Sequence, residues 1–157
     1  NRMTDINAGS LKTIRRLSMQ ISARNQIIGI VEKITLGAVN AEVLIKIKSG
    51  NTLVSIITNT ATENLEINVG DEVIAVIKSS NVLLSTAANW KISARNTLKG
   101  EIEAINQGEI NSEVVINVGN EDKVVTVITT SSIKNMNLKI GSKVDAIIKA
   151  SDIMIGR

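Results

Sequence analysis

The sequence contains no cysteine, histidine, proline, phenylalanine or tyrosine, and Trp90 is its single aromatic residue. Without Cys and His it cannot assemble the usual zinc or iron–sulfur sites, a thiolate nucleophile or a Ser-His-Asp relay. The lack of Cys also excludes disulfides, so stability must come from aliphatic packing, helped by contacts between subunits. Acids such as Glu32 and Glu103 show no paired arrangement suited to proton transfer, and no enzymatic activity is expected. No apolar run approaches the roughly 20 residues a bilayer requires, and no signal-peptide pattern opens the chain. These absences point to a cytoplasmic, unanchored protein.

What is present is aliphatic and evenly charged. Hydrophobic residues make up 43% and charged residues 21%, the proportions of a soluble globular chain. The net charge of +3 resides in the first twenty residues, where Arg2, Lys12, Arg15 and Arg16 face Asp5 alone. The remainder is neutral, without the basic stripe that marks a nucleic-acid surface. Trp90 is expected to pack a joint onto the folded body; one aromatic gives little support to a base-stacking platform.

The chain repeats itself. Ser22-Ala23-Arg24-Asn25 returns as Ser93-Ala94-Arg95-Asn96, and the same offset pairs Gly29 with Gly100, Gly37 with Gly108, Asn40 with Asn111, Thr58 with Thr129, Gly70 with Gly141 and Lys78 with Lys149. Ungapped matching of this kind marks an internal duplication.

Each copy reads as β. Val43, Ile45 and Ile47 alternate with Glu42, Lys46 and Lys48, the period of a half-buried strand, with Leu44 as the exception on the outer face. Ser49-Gly50-Asn51 supplies a turn before a strand over 53–58; in the second copy 114–118, a polar turn and 124–129 follow the same plan. Residues 60–65 and 131–136 lose the alternation and begin with hydroxyls able to cap a helical turn. A turn at 69–72 then leads into a strand over 73–77, with 140–148 as its counterpart. The expected fold is all-β: two tandem OB-like small barrels, each with five strands and a short helical turn. A short amphipathic helix precedes them, with Leu11, Ile14 and Leu17 on one face and Ser10 as its cap. The expected boundaries are 1–20 for this helical linker, 21–86 for the first module, 87–92 for the joint and 93–157 for the second module.

Two polar clusters stand out because both copies keep them. A tetrahedral oxyanion needs several donors converging on a small sphere, few acceptors and a cation or two. Ser22, Ala23 and Arg24 offer backbone N–H groups, a hydroxyl and a guanidinium at a strand entrance, as do Ser93, Ala94 and Arg95. Lys78 and Ser79, with Ser80, add an ammonium and hydroxyls at a strand exit, where Lys149, Ala150 and Ser151 are the counterparts. The plainer alternative is that the serines cap strand starts and the lysines are solvated. Thr58 and Thr129 either point a hydroxyl at the same pocket or cap the helical turn. Asn25 and Asn96 are expected to brace a turn, and Gly29, Gly37, Gly100 and Gly108 to serve backbone geometry. A pocket of donors would disfavour hydrogen phosphate, whose proton needs an acceptor, at a cost of roughly 1–3 kcal/mol.

The clusters carry a resemblance. Ser22–Gln26, Gly37–Val43, Val69–Val73 and Ile77–Ser80, each with a second-copy counterpart, closely resemble the Mop module, a molybdate- and tungstate-binding, TOBE-like domain. The resemblance spans residues 20–157 and implies a di-Mop protein. It implies OB-like barrels with molybdate or tungstate held between modules, by a Ser-Ala-Arg segment of one and a Lys-Ser or Lys-Ala segment of another. The site residues it implies are Ser22, Ala23, Arg24, Thr58, Lys78 and Ser79 with Ser93, Ala94, Arg95, Thr129, Lys149 and Ala150. Ala150 replaces a hydroxyl by a methyl, so contact there must come from its N–H or from Ser151. The resemblance further implies a homo-oligomer, dimer or trimer, with metal present only as the oxyanion and no organic cofactor.

The stretch Arg15 to Gln20 is similar to the linker of molybdate-responsive transcription regulators, in which a winged-helix DNA-binding domain precedes the di-Mop unit. The expected role is therefore the ligand-sensing portion of such a regulator, touching DNA only through that missing domain and no membrane. The alternative is a free-standing molbindin that stores intracellular molybdate, with OB-type binding of single-stranded nucleic acid a weaker third reading.

Overall fold

The computed structural model describes residues 25–86 and 91–157. The helix expected before residue 20, Ser22, Ala23, Arg24 and Trp90 all lie outside these residues.

Each copy contributes the same series of elements. The first runs β1 (Asn25–Leu36), β2 (Asn40–Ile47), β3 (Thr52–Thr58), α1 (Asn59–Leu65), β4 (Glu72–Ile77), a 3-10 turn at Ser79–Asn81 and β5 (Val82–Ser85). The second runs β6 (Asn96–Asn106), β7 (Asn111–Gly119), β8 (Asp122–Thr129), α2 (Thr130–Asn135), β9 (Lys143–Ile148), a 3-10 turn at Ala150–Asp152 and β10 (Met154–Gly156). The expected all-β, OB-like pair of modules is what forms, with two five-stranded sheets.

Local chemistry explains the elements. In β2, Ala41, Val43, Ile45 and Ile47 are buried while the residues between them are not, because a pleated strand sends alternate side chains to opposite faces. The helices start one residue before the expected segment: Thr58 Oγ1 accepts the Ala61 N–H at 3.0 Å, and Thr129 Oγ1 accepts that of Ser132 at 3.1 Å. β1 and β6 each carry a bulge, at Glu32 and Glu103, where the register to the neighbouring strand shifts. A bulge bends its strand and increases the local twist, which curls both sheets.

Strand order carries the main surprise. The sheets run β10-β4-β1-β2-β3 and β5-β9-β6-β7-β8, so each holds four strands of one copy and the short last strand of the other. After β4 the 3-10 turn sends the chain across to β9, where Val82 pairs with Ile148; β10 returns to β4, pairing Met154 with Val76. The count of five strands per copy holds, but the fifth is exchanged. Buried hydroxyls lock the exchange: Ser55 Oγ donates to the Ile153 carbonyl and Thr126 Oγ1 to the Val82 carbonyl, each at 2.6 Å. A single aliphatic cluster runs through both modules, from Ile27 and Val43 to Val114 and Ile148. Among the described residues no helix is long and apolar enough to cross a membrane.

Candidate functional site

Antiparallel pairing of β6 with β9 sets Asn96 opposite Ile148. The segment entering β6, Ser93-Ala94-Arg95, therefore lies beside the segment leaving β9, Lys149-Ala150-Ser151. All six residues line one cavity of about 420 Å³, completed by Ile92, Ile56 and Leu83. Ile56 belongs to β3 and Leu83 to the exchanged β5, so the cavity sits where the two copies meet. The Ser-Ala-Arg and Lys-Ala-Ser segments gathered here both come from the second copy.

The cavity is lined by cationic, hydroxyl-bearing and aliphatic side chains. Arg95 and Lys149 bring two positive charges, Ser93 and Ser151 bring hydroxyls, and Ile56, Leu83 and Ile92 give an apolar wall. The Arg95 guanidinium reaches the first copy, where Nη1 lies 3.1 Å from Glu42 Oε2. The Ala150 methyl is buried, 4% exposed, and the 3-10 turn it opens has no side-chain cap from Lys149. The first N–H groups of such a turn have no acceptor within it and are potential ligand donors.

In the first copy, β1 pairs with β4 in the same register, Asn25 opposite Ile77. That places Lys78, exposed, and Ser79, half-buried, at the β4 end opposite Asn25. Ser22, Ala23 and Arg24 themselves lie outside the described residues. Thr58 and Thr129 are absent from the lining of the 420 Å³ cavity, and their hydroxyls cap α1 and α2.

Asn25 and Asn96 do not brace a turn. Both are 2% exposed and grip the opposite module. Asn96 Oδ1 accepts the Val54 N–H at 2.7 Å while its Nδ2 donates to the Val54 carbonyl at 2.9 Å. Asn25 makes the same pair of bonds with Val125, both at 2.7 Å. The side-chain amide thus imitates a neighbouring strand. The sequence does not single out Glu42, Ile56 or Leu83, since the Glu42–Arg95 pair and the place of Ile56 and Leu83 in the lining depend on contacts between copies. The one signal was that Glu42 recurs as Glu113.

Two segments of the chain, 21–84 and 92–155, match the TOBE domain. The chain belongs to the TOBE-domain family. Similar proteins include the molybdenum transport protein ModE of Azotobacter vinelandii, 37% identical over 98% of this chain and 58% of ModE. The molybdenum-pterin-binding protein MopA of Rhodobacter capsulatus is 35% identical over 93% of this chain and 56% of its own. The molybdate-bound crystal structure of ModG, described as a cytoplasmic molybdate-binding protein, superposes with a TM-score of 0.83. It is 36% identical, covering 87% of this chain and 97% of ModG. The chain spans a little over half the length of these curated relatives. Both TOBE segments contain a Ser-Ala-Arg-Asn and a Lys-Ser or Lys-Ala motif, so the family match covers the residues that build the cavity.

Proposed function

We propose that this chain binds a tetrahedral oxyanion, molybdate or tungstate, without transforming it. The observation that carries the reading is the convergence of Ser93, Arg95, Lys149 and Ser151 on one cavity at the junction of the two copies. Hydroxyls, cations and backbone N–H groups are what a fully deprotonated dianion requires, because it has only acceptors to offer. Similarity to ModE, MopA and the molybdate-bound ModG supports the same ligand. By the repeat, Ser22, Ala23, Arg24, Lys78 and Ser79 are the corresponding set, whereas Thr58 and Thr129 serve as helix caps.

The volume exceeds what one small anion fills, and the rim residues Leu83 and Ile92 are 53% and 36% exposed. An apolar rim beside a polar pocket suits closure by a second chain, which supports the reading of a homo-oligomer with ligand enclosed at interfaces. For the larger unit, the reading is the ligand-sensing portion of a molybdate-dependent transcription regulator, supported by alignment with ModE over nearly the whole chain. A free-standing storage protein is the second reading, supported by ModG, most of whose own length is matched here. The reading frame upstream in the native gene separates them: a winged-helix domain there decides for the regulator.

Calorimetric titration with molybdate, tungstate, sulfate and phosphate tests the site. Molybdate is expected to bind at least about tenfold tighter than sulfate, and Lys149→Ala to weaken it by about 1.5–3 kcal/mol, the scale of a hydrogen bond to a charged group. Affinity unchanged by that substitution would remove Lys149 from the site.

A further inference from the structure

The cavity's guanidinium is already engaged. Arg95 Nη1 lies 3.1 Å from Glu42 Oε2, a pair bridging the two copies, with the side chains 49% and 36% exposed. Glu42 stands directly opposite Ile56 in the β2–β3 ladder, and Ile56 is part of the cavity wall. Strand pairing therefore sets a carboxylate at the edge of a pocket whose other charges, Arg95 and Lys149, are positive. Resting on the oxyanion reading above, we infer that Glu42 is a built-in counter-charge to Arg95 that restrains anion affinity and makes it dependent on ionic strength.

Two effects of Glu42 oppose each other, and their sizes decide the sign. As a tether, it holds the guanidinium near the pocket; an exposed ion pair of this kind biases an equilibrium by a factor of about five at most. As a charge, it repels the incoming ligand. A carboxylate about 7 Å from a dianion lowers its affinity by a factor of about seven even at the dielectric constant of water, and by more where the walls are apolar. Repulsion wins. Arg95 keeps further N–H donors when Nη1 is paired, since a guanidinium has five, so the anion binds beside the pair without displacing it.

The test is titration of the whole chain with sodium molybdate at low and at physiological ionic strength, comparing wild type with Glu42→Gln, Glu42→Ala and Glu42→Asp. Glu42→Gln and Glu42→Ala are expected to bind three- to tenfold tighter at low salt, with the gain shrinking as salt screens the charge. Glu42→Asp retains the charge and is expected to show no gain. A tether acting only through geometry would give weaker binding in all three variants and no salt-dependent gain. Glu42→Gln and Glu42→Ala binding no tighter than a wild type that does bind overturns the inference while leaving the oxyanion site standing. A wild type that binds no oxyanion overturns both. Should Glu42→Gln lose its cooperative melting transition, Glu42→Ala carries the comparison.

Discussion

At the scale of single residues, the same amino acid at matched positions does different work from its neighbours one step away. Arg95 lines the cavity, whereas Asn96, which opens β6, is buried and bonds the Val54 N–H and carbonyl and the Ile148 carbonyl. The division falls at the strand entrance: Arg95 lies in the bend before β6, and Asn96 is the first residue of the strand. Because Asn96 is buried, truncating it strands two backbone groups of β3 in an apolar setting. Asn96→Ala is expected to cost about 2–4 kcal/mol, on the scale of 1–3 kcal/mol for each buried group left unsatisfied. Urea unfolding monitored by far-UV circular dichroism measures it; a loss below about 0.5 kcal/mol would mean the amide clamp is not holding the modules together. The sequence suggests a turn brace instead, because the clamp's partner lies 42 residues away and nothing local distinguishes the two roles.

Among the elements, the long first strand of each copy shows what the glycines contribute. β6 pairs with β7 in the same sheet, and a Cβ at Gly100 would meet Ile116 Cγ2 at 2.6 Å and the Asn117 carbonyl at 2.7 Å. The Asn117 contact is backbone and cannot swing aside, so only glycine is accommodated without opening the ladder. Gly100→Ala is expected to destabilise by about 1–3 kcal/mol, the range for inserting a methyl into a filled space. A fall in thermal midpoint checks this, and an unchanged midpoint would show that the strand gives way freely. Gly29 makes the same approach to Ile45 and the Lys46 carbonyl in the first copy. The reading of these glycines as backbone geometry was available from the repeat alone, since a residue without a side chain kept twice within a strand has few other uses.

For the whole molecule, the exchange of β5 and β10 is what joins two small modules into one body. Each barrel lacks a strand unless the other copy supplies it, and Val82 and Ile153 are buried in the process. A separate half, residues 91–157, would expose the edge of β9 and have an unplaced β10. It is expected to associate into a dimer by reciprocal exchange, because an unpaired edge strand is a template for any chain carrying the matching strand. Analytical ultracentrifugation of that half distinguishes the outcomes: a stable, folded monomer would show that β10 can close its own barrel and that the exchange is incidental.

Sequence alone determined the duplication, the strands, the capped helical turns and the chemical type of the candidate site. Those properties are local: alternation, capping and repeat offset act within a few residues and leave a pattern that can be read directly. The tertiary structure alone decided which strand completes which barrel, that Asn25 and Asn96 clamp the opposite module, that Ile56 lines the cavity with Arg95 and Lys149, and that Glu42 pairs with Arg95. The physical reason is that β-sheet pairing joins segments regardless of their separation along the chain. A short aliphatic strand such as β5 suits either barrel's edge, and only the path of the turn before it, closed by the buried Thr126–Val82 and Ser55–Ile153 bonds, selects the partner.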